Sequence, residues 1–192
     1  MARDRASRPQ AKPLRLFVAA DVPEGIRAAL AEAVVPIRGR FPRARWVPTA
    51  NQHLTMKFLG STWPRLVEWV ITTVGEVAAA NGSFQTEVEG IGAFPNAGRA
   101  RVLWAGLHDP DARLAGIAGG LDDALAREFR PEERTFTPHL TVARFDPPVP
   151  VDLEEVRFRS EPFVIDRIVL YRSHLRRPAP VYEVLEVFPL GP

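Results

Sequence analysis

Cysteine is absent from the 192-residue chain, which removes disulfides, zinc ribbons and thiol nucleophiles together and fits a reducing compartment. Lysine is nearly absent too. Of 25 basic residues only Lys12 and Lys57 are lysine, and the others are arginine, whose planar fork suits bidentate phosphate contacts. GC-rich coding would produce the same excess, so the arginines alone give weak support for a phosphate-bearing partner. No apolar run approaches the roughly 18 residues that a membrane helix needs, and the basic stretch from Met1 to Lys12 lacks the apolar centre of a secretory signal. The expected location is therefore the cytoplasm. The phosphate-cradling patterns G-x-x-x-x-G-K-[ST] and G-x-G-x-x-G are missing, so no nucleotide cofactor is expected. Neither H-E-x-x-H nor His-x-His occurs, so no metal is expected either.

Hydrophobic residues make up 46% and charged residues 25%, the balance of an ordinary soluble globular protein, and the length suits one compact unit. Residues 1–13 carry Arg3, Arg5, Arg8, Pro9 and Pro13 without periodicity and are expected to form a flexible basic tail. A single domain is expected over 14–192. Leu14 to Ala20 reads as an apolar strand, followed by Asp21 as the N-cap of a helix whose apolar positions run from Val22 to Ile37, with Pro36 limiting it. A second helix follows Pro64 and stops at Asn81-Gly82. A third begins at Asp109-Pro110 and runs toward Phe129, weakened by Gly116, Gly119 and Gly120. Expected strands cover 43–47, 53–58, 84–91, 99–107, 139–144, 163–171 and 181–188. Short strands interleaved with three helices make the class α+β.

The chain also repeats itself faintly. In each half an apolar strand meets an Asp and a Pro, a helix follows, and the segment ends in His-Leu-Thr. Asp21 precedes His53 by 32 positions, and Asp109 precedes His139 by 30. Two similar lobes facing each other are the expected result.

The repeated tripeptide carries the chemistry. With a side-chain period of two, His53, Thr55 and Lys57 share one strand face, and Leu54, Met56 and Phe58 the other. In the second copy His139, Thr141 and Ala143 share the polar-capable face. Arg144 falls on the inward face unless the strand bends there, since a buried guanidinium is costly without a partner. If the lobes bring both faces together, two imidazoles and two hydroxyls converge. One histidine can accept a proton and the other donate one, while Thr55 and Thr141 hold phosphate oxygens. An ordinary half-buried strand would explain either copy alone; it explains both poorly.

These residues resemble the two-histidine (2H) phosphoesterases, and within them the RNA 2′,3′-cyclic phosphodiesterase branch. The resemblance spans Leu14 to the C-terminus and is carried by Leu16-Phe17-Val18-Ala19, Arg45-Trp46-Val47, Asn51-Gln52-His53-Leu54-Thr55, Lys57-Phe58-Leu59-Gly60 and Gly92-Ala93-Phe94-Pro95. It continues in Val102-Leu103-Trp104-Ala105-Gly106, in Phe136 through Arg144, and in Leu170-Tyr171-Arg172-Ser173. It implies a bilobal fold with two pseudo-symmetric antiparallel-sheet lobes and outer helices around a central cleft. It further implies metal-independent opening of RNA 2′,3′-cyclic phosphate ends to 2′-phosphates, with His53 and His139 as the catalytic pair and Thr55 and Thr141 as phosphate ligands. His53 is expected as the acid and His139 as the base, with the reverse left open. Joining tRNA halves through a 2′–5′ linkage, or nucleotide binding without turnover, are the alternatives. Arg176-Arg177-Pro178 departs from the family's glycine-containing turn, which puts local loop shape in question.

Further substrate contacts are considered for Arg144 on the phosphate, and for Phe17, Trp46 and Phe94 as stacking surfaces for a terminal base, although each aromatic taken singly reads more readily as core. Arg172, Arg176 and Arg177 read either as an RNA-backbone patch or as a solvated loop. His108 and His174 read as structural or solvent-facing. Without heptads or an obvious exposed apolar stripe, a monomer is expected that binds RNA or a nucleotide and no membrane.

Overall fold

A computed structural model describes residues 12–191. The expected tail at residues 1–13 lies almost wholly outside them. The first strand, β1 (Leu14–Ala20), is followed by α1 (Glu24–Ala33) and a short α2 (Val35–Arg40). Pro36 does not end the first helix. It sits in the opening turn of α2, where its missing N–H costs nothing, and the break falls at Val34. Asp21 makes no cap; Pro23 occupies that position without a side-chain hydrogen bond.

Then come β2 (Arg45–Trp46), β3 (Leu54–Thr62), α3 (Val67–Ala79), β4 (Phe84–Thr86), β5 (Val88–Phe94) and β6 (Ala100–Leu107). The last third holds α4 (Arg113–Leu125), β7 (His139–Val149), β8 (Phe163–Ile165), β9 (Arg167–His174) and β10 (Val181–Pro189). Two segments expected to be single strands, 84–91 and 163–171, are each broken in two. Their first halves, β4 and β8, leave the main sheet and pair with each other. The breaks fall at Glu87, which Arg159 grips through two hydrogen bonds, and at Asp166, paired with Arg167. The third helix forms despite its glycines. Asp109 caps it from a distance, its carboxylate accepting from the N–H groups of Leu114 and Ala115 at 2.7 and 3.0 Å across a turn in which Asp111 and Ala112 take positive φ.

The main sheet runs β10-β9-β1-β3-β7-β6-β5, with β2 added on β7, and every pairing in it is antiparallel. It is two lobes rather than one continuous surface. β3 and β7 are joined by the single residue pair Leu54↔Leu140, whereas the pairings inside each lobe are extensive. These are the central leucines of the two His-Leu-Thr repeats, so a local two-fold axis passes between them. Both leucines are buried, as are Val70, Val74 and Ala78 of α3 and Leu114, Ile117, Leu121 and Leu125 of α4. Helices α3 and α4 pack on each other behind the first lobe, α3 on β9 and β10 and α4 on β3, while Phe41 beyond α2 packs edge-on against Phe145 of β7. The two-lobed α+β architecture read from the sequence is the one observed. Among the described residues no helix is long and apolar enough to cross a membrane.

Candidate active site

The antiparallel pair Leu54↔Leu140 decides where the chemistry falls. Running outward from it, His53 stands opposite Thr141 and Thr55 opposite His139. With period two, all four point away from the buried leucines to the face between the lobes. All four are half-buried. Both imidazoles are fixed in the same way. Nδ1 of His53 lies 2.9 Å from the Asn51 carbonyl, and Nδ1 of His139 lies 2.6 Å from the Thr137 carbonyl, in each case two residues earlier. A carbonyl only accepts, so each Nδ1 carries the proton and each Nε2 is left for the cleft. Among the described residues neither threonine hydroxyl is engaged by another protein group.

Beyond the motif the period of two fails in both halves, at the same place. β1 pairs Val18 with Lys57 and Ala19 with Thr55, skipping Met56; β6 pairs Leu103 with Ala143 and Trp104 with Thr141, skipping Val142. Each is a bulge that turns the following residues over. Lys57 therefore leaves the polar face expected for it. It is 5% exposed, its ammonium donating to the Arg130 carbonyl at 2.9 Å and pairing with Asp122 of α4. Phe58 emerges instead, 62% exposed, beside Phe17. In the second half Ala143 takes the buried place of Lys57, and Arg144 emerges as Phe58 does. The bend anticipated at Arg144 is this bulge, and it spares the guanidinium a buried position.

Different rings surround the two histidines. Phe17, 3% exposed, stacks on His53 at 4.8 Å between centroids and on Tyr171 at 5.3 Å, and Tyr182 meets His53 edge-on at 5.1 Å. Phe17 thus supports the imidazole and has little face left for a base. His139 is met edge-on by Phe94 at 5.2 Å and by Trp104 at 6.3 Å. Gly92 makes room for that tryptophan, since a Cβ there would lie 2.1 Å from the indole. Trp46 turns elsewhere: its indole N–H donates to the Phe41 carbonyl at 3.0 Å and Arg38 lies over its ring. His108 and His174 sit away from the pair, near Glu89 at 3.8 Å and Glu183 at 2.7 Å.

The charges differ as well. Burial is the main influence on both histidines and lowers both pKa values below the usual 6.5; the carbonyl contacts oppose it. Asp21 then favours the His53 cation, with Arg27 opposing more weakly, whereas Arg144 disfavours the His139 cation. Asp21 is held by Tyr171, whose hydroxyl donates to its two carboxylate oxygens at 2.8 and 3.0 Å. Burial and that hydrogen bond push the phenol well above its ordinary value, so it remains a donor. Sequence reading missed Asp21, Tyr171, Tyr182 and Phe58 as parts of the site. The Asp21 to Tyr171 contact joins residues 150 positions apart, and only the bulge exposes Phe58. A recess of about 270 Å³ opens beside His53, walled by Asp21, Asn51, Gln52, Tyr171, Pro180 and Tyr182. Among the described residues no three His, Cys, Asp or Glu side chains gather as a metal cage.

Known proteins share this fold. The chain matches the LigT-like phosphoesterase family over residues 21–104 and again over 107–182, each segment containing one His-Leu-Thr. It is 36% identical to an RNA 2′,3′-cyclic phosphodiesterase of Thermus thermophilus over 92% of this chain and 90% of that one. It is 31% identical to one of Archaeoglobus fulgidus over 91% and 99%. The crystal structure of a Thermus thermophilus protein superposes with a TM-score of 0.78 at 30% identity, covering 92% of this chain and 98% of that one. Escherichia coli LigT complexed with 3′-AMP superposes with a TM-score of 0.74 at 26% identity, covering 94% and 100%. With its two matched segments each built around one histidine of a facing pair, this chain belongs to the LigT-like phosphoesterases of the two-histidine superfamily.

Proposed function

We propose that this protein hydrolyses the 2′,3′-cyclic phosphate ends of RNA to 2′-phosphates, using His53 as general acid and His139 as general base and no metal ion. The observation that carries the reading is the matched pair of imidazoles, each with its Nδ1 proton held by a carbonyl two residues earlier. They lie on either side of a local two-fold axis, His53 opposite Thr141 and His139 opposite Thr55. The names of its relatives, RNA 2′,3′-cyclic phosphodiesterases, support the substrate class.

Water attacks phosphorus from the second lobe while the Nε2 of His139 takes its proton, forming the new P–O bond. The P–O3′ bond opposite breaks, and the protonated Nε2 of His53 delivers its proton to O3′ as that oxygen leaves. The product is a 2′-phosphate with a free 3′-hydroxyl, and the two histidines have exchanged protonation states, which solvent resets. Thr55 and Thr141 donate to the non-bridging oxygens, and Arg144 adds positive charge as negative charge accumulates. The charge pattern supports this order of roles: Asp21 sits by the histidine that must be a cation, Arg144 by the one that must be neutral.

An RNA with a 2′,3′-cyclic end, incubated with the protein with and without EDTA, tests the reading. The expected product is the 2′-phosphate in both samples. An unchanged cyclic end would remove the hydrolase reading, loss of turnover in EDTA would remove metal independence, and a 3′-phosphate would reverse the leaving oxygen.

A further inference from the structure

In-line attack places the leaving ribose oxygen on the side of the acid. With His53 as acid, the terminal nucleoside lies over the first lobe and the rest of the RNA continues from there. From His53, which covers Phe17 of β1, this lobe runs outward through Tyr171 on β9 and Tyr182 on β10, ending at the sheet edge. The hairpin loop joining β9 to β10 stands at the end of that row. Its base, Pro180 and Val181, is part of the wall of the recess beside His53. The Asn51 amide, in the turn that carries His53, donates to the Pro180 carbonyl at 2.7 Å and ties the loop to the site.

The loop tip is exposed from Leu175 to Pro178, with Leu175 77% exposed. Its two arginines carry free positive charge. Glu183, the β10 carboxylate nearer the loop, is already shared by Arg172 at 3.6 Å and His174 at 2.7 Å, and among the described residues Arg176 and Arg177 enter no ion pair. Arg15 extends this field inward: its charge and that of Arg144 both act on the Tyr182 hydroxyl. Positive charge not matched by a carboxylate therefore lies beside Tyr182 and again at the loop tip, along the path an RNA strand would leave by.

We propose that the β9–β10 loop is an RNA-binding arm, in which Arg176 and Arg177 hold the backbone phosphates 5′ of the terminal nucleotide. The arm rests on the hydrolase reading and on His53 as its acid. It makes the enzyme prefer a cyclic end on a polymer over the same end on a single nucleoside. Leu175 adds an apolar contact, and the arginines act as electrostatic contacts without base selectivity.

The test compares the wild type with R176E/R177E, an exposed pair whose exchange leaves the core untouched. Two substrates are used: a mononucleoside 2′,3′-cyclic phosphate, and an oligoribonucleotide of about six residues with the same end, a length that single-strand sites commonly hold. At low salt the variant should lose about tenfold or more in kcat/KM on the oligomer and remain near wild type on the mononucleoside. The slope of log kcat/KM against log salt should become shallower by about 1.4, two phosphate contacts at roughly 0.7 each. Equal effects on both substrates, or an unchanged slope, would overturn the arm. Fluorescence anisotropy of a labelled oligomer ending in a 2′-phosphate gives a readout that needs no turnover. Weaker binding by the variant is expected, and equal binding would overturn the proposal. Failure of the wild type to open either substrate would instead sink the hydrolase reading, and the anisotropy would still decide the arm.

Discussion

His53 and His139 occupy the same backbone frame and different surroundings. Each follows a carbonyl that holds its Nδ1, each precedes a buried leucine and a threonine, and each is followed by a bulge at the same distance. Around that frame, one half places a stacked phenylalanine, two tyrosines and Asp21, and the other a phenylalanine, a tryptophan and Arg144. The repeat supplies geometry: two imidazoles on one face of the sheet, one from each lobe and each with its Nδ1 held by a carbonyl, the placement that the proposed in-line displacement uses. The side chains break the symmetry, and the proposed chemistry depends on that break, because in it one histidine gives a proton while the other takes one.

The largest effects should come from removing either member of the pair. H53A and H139A should each slow single-turnover opening of a cyclic end by about 10² to 10⁴; a mild loss in one alone would mean the halves do not share the work. T55A and T141A should each cost tens to hundreds of fold, about the loss of one charge-stabilising donor, and by comparable amounts if the phosphate sits on the two-fold axis. A large inequality would place it off that axis. The buried Lys57 has Ala143 as its counterpart, so only the first half depends on an ion pair at this position. K57M strands the Asp122 carboxylate and should lower unfolding free energy by about 3 kcal/mol, near the lower end for breaking a buried pair because Asp122 still reaches water. Urea denaturation measures this, and K57M/D122L should recover part of the loss. An unchanged midpoint would show that the pair contributes nothing.

The smallest effect is on stability against pH. Both histidines have folded pKa values below 6.5, so below that pH the unfolded chain binds more protons and stability falls as pH drops toward the folded values. Above 6.5 both states hold neutral imidazoles and the contribution is constant. Thermal melts from about pH 8 down to about pH 5 should therefore decline less steeply for H53A/H139A than for the wild type.

Much of this was legible in the sequence, because the deciding features are local and repeated. The two His-Leu-Thr segments announced a polar face over a buried leucine, and the matching spacing from Asp to His announced two lobes. What stayed hidden depended on partners far along the chain. A bulge is defined by the neighbouring strand, so strict alternation put Lys57 on the wrong face and concealed Phe58. Asp21 read as a helix cap because nothing nearby competes for it, yet Tyr171 claims its carboxylate across the sheet. The segments 84–91 and 163–171 each read as one strand because nothing in their own composition marks where a strand changes sheets. Trp46 sits close to the first motif in sequence but is drawn to the carbonyl of Phe41 and the guanidinium of Arg38.

The division of labour between the halves is tested most directly by the pH dependence of kcat/KM for D21N beside the wild type. The amide can still accept the Tyr171 hydroxyl hydrogen bond, so the exchange removes mainly charge. Without that charge the His53 pKa drops further. If His53 is the acid, it loses its proton sooner, and the alkaline limb of the bell moves to lower pH while the acid limb stays in place. Movement of the acid limb instead, with the alkaline limb fixed, would make His53 the base and contradict the assignment.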